Sequence, residues 1–287
     1  MNIFARISLI FLSFILILPY TASKADSMDL NMVFVPASEK GDDQDYVNLI
    51  KIIGDLTGIK ITPIRVTDYN SAVEAVRANR AQIAWYGGKT YIQAVEIADV
   101  EAFAAGVRKG DSDASYFAYF VVPSDSELMT LKDVKGTKLA LNSIGSTSGD
   151  LIPQVELMKA GLSVKNKDDF ERVFYAGSHD ACLMAAINKH VDVCGMSSRN
   201  FDARVADGTL DPSKVRIIHR SAPVPPPPLA YSKKLPLEIR NKIKTATLEA
   251  HKYGRIGGYG GEMSHYIEIT DSDYDLLREV DKLLNSQ

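Results

Sequence analysis

The run SAPVPPPPLAYSKKLP, Ser221–Pro236, decides the architecture. Each proline removes a backbone donor and fixes φ, so neither a helix interior nor a central strand is expected to accommodate the segment. It reads as a stiff crossover. Upstream lie two batches of alternating strands and helices, and downstream lie mainly helical patterns. A crossover placed after the last strand of the second batch carries the chain back to the first.

The first batch starts with a short apolar strand, Leu30–Val35, ended by Pro36. Tyr46, Leu49, Ile50, Ile53 and Leu56 then recur at helical spacing over Gln44–Leu56, and Gly58 follows as a cap. Ile59–Val66 is a strand, Asp68–Ser71 supplies capping side chains for a helix to Asn79, and Gln82–Trp85 is a buried strand. The second batch starts after the strand Tyr116–Val122, where Pro123 breaks the chain. Lys138–Asn142, Val191–Cys194 and Val215–His219 are its strands, and Leu151–Ala160, His179–Lys189 and Ser198–Ala206 its helices. After the crossover, helices over Leu237–Tyr253 and Ser272–Leu284 should pack on the first lobe. The expected fold is a two-lobed α/β clamshell, with lobe one at 26–120 and 222–287 and lobe two at 121–221. In such sheets ligands bind at the carboxyl ends of strands, here in the cleft between lobes.

Composition narrows the function. Over 287 residues the formal net charge is −3, and no basic block points to nucleic acid. Residues 1–25 read as a cleavable signal peptide: Arg6, an apolar run from Ile7 to Leu18, then small residues around Ser23–Ala25. The run is shorter than a membrane-spanning helix needs, so the mature chain is expected to be exported, free in a periplasm and monomeric. That compartment permits a disulfide between Cys182 and Cys194, and two buried thiols fit the spacing equally well. No metal-binding spacing appears, and no cofactor is expected.

The chemistry concentrates in NSIGSTSGDLIPQVELMKAG, Asn142–Gly161. Ser146, Thr147 and Ser148 fall where a strand passes into a helix. A helix N-terminus offers unpaired N–H groups and partial positive charge, and hydroxyls add donors without adding charge. Gly149 lets the backbone approach a ligand, and Pro153 suits the first turn. Two readings stand. Either one hydroxyl caps the helix while the others face water, or all three serve a tetrahedral oxyanion. GSTSG places threonine where a nucleophile elbow needs serine, and no phosphate-binding loop ending in Lys-Ser or Lys-Thr is present, so a hydrolase is disfavoured.

Taken in order, DYNSAVEAVRANRAQIAWYGGKTY, SYFAYFVV, STSGDLIP and AGSHDACLMAAINKHVDV resemble the periplasmic phosphonate-binding proteins that feed ABC transporters. The likeness runs from the first strand to the helices after the proline crossover. It implies a type II periplasmic binding fold closing on a phosphonate, phosphite or phosphate-like ligand, and an ABC transporter permease as partner. It implies further that Ser146, Thr147 and Ser148 hold the phosphonyl oxygens, that His179 in AGSHD joins them, and that Tyr69 and Tyr116 complete the pocket. Trp85 and Tyr86 are added as pocket floor. A histidine near neutral pH can be protonated by such an anionic neighbour.

Two positions depart from the pattern. Relatives taking 2-aminoethylphosphonate hold its ammonium with two carboxylates, which fall here at Arg199 and near Pro227. Neither is acidic, so aminoalkyl phosphonates should be disfavoured. Arg199 either pairs with a carboxylate on the ligand or points to solvent. A sensory ligand-binding protein of the same fold is the rival to transport, and a secreted hydrolase using Ser146 or Ser148 is a third reading.

Overall fold

A computed structural model describes residues 28–36 and 43–286. The signal-peptide segment lies outside them, and none of the described helices is long and apolar enough to cross a membrane.

Lobe one is built from β1 (Asp29–Phe34), α1 (Asp43–Thr57), β2 (Lys60–Arg65), α2 (Tyr69–Arg77), β3 (Ile83–Trp85), α3 (Gly88–Ala98) and β4 (Val100–Arg108). Apolar spacing explains the start: Leu49, Ile50 and Ile53 of α1 are buried in the same core as Met32 and Val33 of β1. Asp68 caps α2 as its sequence suggests, its carboxylate accepting the Ser71 N–H at 2.8 Å.

Lobe two follows with β5 (Ala118–Pro123), β6 (Lys138–Leu141), α4 (Ile152–Lys159), β7 (Arg172–Tyr175), α5 (His179–Ile187), β8 (Val193–Ser197), α6 (Ser198–Ala206) and β9 (Val215–Arg220). The chain then returns through β10 (Leu229–Ser232), α7 (Leu237–Glu249), β11 (Ile256–Gly258), β12 (Gly261–Glu268) and α8 (Asp275–Asn285).

The first sheet has the order β11-β12-β4-β10-β3-β1-β2, and the second β7-β6-β8-β5-β9. β3, β1 and β2 run parallel, whereas β10 is antiparallel to both β3 and β4. This corrects the reading of Ser221–Pro236 as strand-free, since Leu229–Ser232 is a fully buried central strand. Its physical reason is position: the proline run stops at Pro228, whose carbonyl accepts the Tyr86 N–H at 3.0 Å, and four residues with free N–H groups follow. β4 escaped the sequence reading because its residues are buried on both faces and show no alternation.

The second sheet takes β5 whole, so the first crossing precedes residue 118 and does not follow residue 120. The two crossings meet where Tyr116 and Val224 pair, with N–H to O distances of 3.3 and 2.8 Å. In lobe two Cys182 and Cys194 form a disulfide, with Cα atoms 5.6 Å apart, tying α5 to β8. Of the two states the spacing allowed, the bonded one is present.

Candidate functional site

The loop Ser146–Gly149 enters α4 through a single π turn over Thr147–Leu151, a local widening often found at functional positions. Ser146 is the cap: its Oγ accepts the Gly149 N–H at 3.1 Å. Thr147 does something else. Its Oγ1 accepts the main-chain N–H of Lys89, at the start of α3 in the opposite lobe, at 2.9 Å. Ser148 lies close to the phenols of Tyr116 and Tyr259 and holds their pKa values down against burial. All three side chains are buried, so the reading in which the surplus hydroxyls face water is overturned.

Gly149 has a different reason from the one its sequence suggests. A Cβ there would stand 2.3 Å from Asn142 Cβ and 2.9 Å from His179 Cε1, so protein side chains already fill the space. The glycine lets Asn142 and His179 pack beneath the loop.

His179 opens α5, but Ser178 does the capping, accepting the Ala181 N–H at 3.0 Å. The imidazole is free for other partners. Its Nδ1 accepts the Ser197 N–H at 3.2 Å, and its Nε2 lies 3.0 Å from the side-chain amide of Asn142. Burial pushes its pKa down to about 3, against a smaller upward pull from Asp180. Without a ligand the ring is neutral, because desolvation outweighs the nearest charge.

Tyr69, the first residue of α2, brings its hydroxyl within reach of Ser146 and 3.5 Å from Asn142 Nδ2. Tyr116 comes from the crossing and lies close to Ser148 and Thr147. Burial raises the pKa of both phenols, so they are neutral donors. Tyr259 completes the set. It sits in the turn between β11 and β12, fully desolvated, within reach of Ser197 and Ser148. Its ring lies 5.8 Å edge-on from Tyr116 and 6.4 Å from His179. Sequence reading missed Tyr259; the glycines around it in IGGYGGE were the available signal of a close backbone approach.

Trp85 packs against Tyr259 at 5.1 Å and Tyr46 at 5.8 Å, so it backs the aromatic wall. Tyr86 is fully buried in the lobe-one core, and its hydroxyl has no hydrogen-bond partner among the described residues.

Arg199 is 2% exposed, which overturns the solvent-facing reading. It stands at the start of α6, in lobe two, yet its guanidinium donates to the carbonyls of Ala114 (2.6 Å), Gly106 (3.3 Å) and Tyr259 (3.4 Å). Gly106 and Tyr259 belong to lobe one and Ala114 to the crossing, so the side chain ties the lobes together. Gly260 makes room for it: its φ is +84°, and a Cβ there would meet Arg199 Cβ at 2.7 Å. The guanidinium carbon is 5.8 Å from the Tyr116 ring centre, and Nε has no hydrogen-bond partner among the described residues. A second tie joins Lys89 Nζ to the buried carboxylate of Asp150 at 2.7 Å. Asp150 also accepts from Tyr175 at 3.0 Å and Gln154 at 2.6 Å, so its charge is spent within the protein.

The cluster thus gathers hydroxyls, one amide and one imidazole at the starts of α2, α3, α4, α5 and α6. Neutral donors backed by helix N-termini suit a small oxyanion. Among the described residues no group of carboxylates, histidines and cysteines is arranged to hold a metal ion.

Known proteins agree with the fold. The chain is 29% identical to the phosphonates-binding periplasmic protein of Escherichia coli over 191 residues, 65% of this chain and 55% of that protein. It is 25% identical over 278 residues to the phosphate-import protein PhnD of Mycolicibacterium smegmatis, covering 90% of this chain and 86% of that one. Among solved structures, PhnD1 of Prochlorococcus marinus in complex with methylphosphonate superposes with a TM-score of 0.78 at 20% identity, covering 91% of this chain and 100% of that chain. A binding-protein component of an ABC phosphonate transporter from Pseudomonas aeruginosa gives 0.79 at 21% identity, over 91% and 87%. Residues 32–274 match the family described as ABC transporter, phosphonate, periplasmic substrate-binding protein. With this clamshell and a buried donor cluster between its lobes, the chain belongs to that family.

Proposed function

We propose that this protein captures a small phosphorus oxyanion in the periplasm and delivers it to the permease of an ABC transporter. Residues 1–25 would direct its export. The observation that carries the reading is the convergence of Ser146, Thr147, Ser148, Tyr69, Tyr116 and Tyr259, all buried, where the two lobes meet. Hydrogen bonds from desolvated neutral donors to an anion are strong, and two lobes supplying them couple binding to closure. The E. coli relative's name, phosphonates-binding, and the methylphosphonate held by the Prochlorococcus structure support phosphorus as the central atom.

The preferred ligand is phosphite, phosphate, methylphosphonate or a phosphonate carrying a carboxylate. The guanidinium of Arg199, buried beside Tyr116, would repel an ammonium on the ligand's far side. Isothermal titration calorimetry against phosphite, phosphate, methylphosphonate and 2-aminoethylphosphonate tests both parts. Binding of at least one amine-free ligand, with 2-aminoethylphosphonate weakest, is the expected result. Tightest binding of the aminoalkyl compound would remove the selectivity claim, and no heat with any of the four would remove the ligand class.

A further inference from the structure

Formal charges that border the donor cluster cancel in close pairs, with one exception. Lys89 and Asp150 meet at 2.7 Å, and Asp180, the residue after His179, is held by Arg204 at 2.8 Å. Arg199 has no such counterpart: its partners among the described residues are the carbonyls of Ala114, Gly106 and Tyr259. Carbonyl dipoles satisfy N–H groups and hold the side chain in place, but they leave its charge standing. An arginine cannot shed that charge by losing a proton.

On its outer side Arg199 shares a crevice of about 340 Å³ with Arg108, Asp111, Asp113, Asp202 and Arg220. Arg108 takes Asp111 at 3.0 Å and Asp202 at 3.4 Å, Asp113 is exposed, and Arg220 lies 3.4 Å above the Phe117 ring centre. These carboxylates face partners or water, which screens them. On its inner side the guanidinium carbon is 5.8 Å from the Tyr116 ring centre, and one N–H is bound to the backbone of Tyr259. Both phenols belong to the donor cluster and are desolvated, so the intervening medium transmits the charge inward.

We infer that Arg199 is a specificity-determining residue acting through its field: it selects a doubly charged phosphorus oxyanion over a singly charged anion of the same shape, such as a sulfonate. Hydroxyls, an amide and an imidazole fit tetrahedral oxygens on phosphorus or sulfur alike, so shape does not separate methylphosphonate from methanesulfonate. A fixed positive charge does, because it attracts each negative charge on the ligand and the dianion carries two. The same residue joins selection to closure. Gly106 and Tyr259 are in lobe one and Arg199 in lobe two, so the guanidinium takes this place when the lobes meet. The inference deepens the oxyanion reading above and rests on it.

Calorimetric titration of the wild type, Arg199→Met and Arg199→Lys tests it, at a pH above the second ionisation of methylphosphonate. The dianion is methylphosphonate, or phosphite where that binds tighter; methanesulfonate is the monoanion, measured by competition where its own heat is small. The wild type should prefer the dianion. Arg199→Met removes the charge at similar length, and its affinity for the dianion should fall by about a hundredfold or more, at about ten- to a hundredfold per unit of ligand charge. Methanesulfonate should lose less, so the ratio of the two affinities should shrink by about tenfold or more. Arg199→Lys keeps the charge without the planar fork that reaches three carbonyls, and should hold that ratio within about threefold of the wild type. Melting of each variant establishes that it is folded, and Arg199→Gln replaces Arg199→Met if the latter is not. A ratio unchanged in the folded neutral variant, or lost equally in Arg199→Lys, would make Arg199 a mechanical tie and refute the assignment. A wild type with no preference for the dianion would also refute it, while leaving the oxyanion reading intact. Absence of binding to methylphosphonate, phosphite and phosphate would remove the oxyanion reading and this inference together.

Discussion

Replacing Gly149 with alanine tests the packing beneath the hydroxyl loop. The added methyl would lie 2.3 Å from Asn142 Cβ and 2.9 Å from His179 Cε1, where ordinary contact begins at 3.4 Å. More than an ångström of movement is needed, and the neighbour cannot swing aside. Asn142 Cβ is attached directly to a backbone whose N–H donates to the Gly149 carbonyl at 2.8 Å. Overpacking of this kind costs about 1–3 kcal/mol. For a chain of this size that lowers the melting temperature by about 2–12 °C. Because the displaced groups are Asn142 and His179, methylphosphonate affinity should fall with it. Gly88→Ala is the comparison: its methyl would stand 2.4 Å from Leu277 Cδ1, the end of a buried but flexible side chain and not an atom fixed to the backbone. Its cost should fall at the low end of the same range, about 1 kcal/mol. Differential scanning calorimetry and titration of the two variants side by side decide the matter. A Gly149→Ala protein melting within about a degree of the parent, or a larger loss in Gly88→Ala, would refute the reasoning.

Acid should weaken the fold through His179. Its pKa is 6.5 when unfolded and about 3 when folded, so between those values the unfolded chain holds more protons. Its contribution is intact above pH 6.5 and is lost as pH falls toward 3, at up to about 1.4 kcal/mol per pH unit. Urea unfolding at several pH values should show this slope, and His179→Gln should lack it; identical slopes in both proteins would exclude the buried neutral ring. Reducing the Cys182–Cys194 bond opens a short loop and should cost about 3 kcal/mol, read from the urea midpoint with and without reductant. An unmoved midpoint after complete reduction, verified by thiol titration, would show that the bond constrains nothing.

Much of the scaffold was legible because it obeys simple periods. The apolar spacing of Leu49, Ile50 and Ile53 and the cap at Asp68 both appear in the structure as read. β10 was hidden because five prolines precede it within six residues, and a pattern reader extends their influence to the four residues that escape it. The site followed the same division. Tyr69, Tyr116, the three hydroxyls and His179 fall in one buried cluster, as the order of the motifs suggested. Tyr259, Asn142 and Ser197 were invisible because each acts through position alone: a lone tyrosine in a glycine turn, an amide beneath a loop, a main-chain N–H. Arg199 carries the clearest lesson. Its charge was readable, but its partners are carbonyl oxygens from distant segments, and main-chain acceptors leave no trace in side-chain identity.

Thr147 shows what closing the lobes does to a single proton. Its oxygen accepts from the Lys89 N–H, so the hydroxyl hydrogen points away from that donor. With the lobes parted, that hydroxyl is a free rotor. Closed, it becomes one link in a head-to-tail sequence of dipoles that starts at the N-terminus of α3 and runs through Thr147 into the donor cluster. Each link polarises the next, and all point in one sense. Closure therefore does more than surround the cavity: it orders the protons on its wall, so that lobe one exerts its field inside lobe two without placing a charge there.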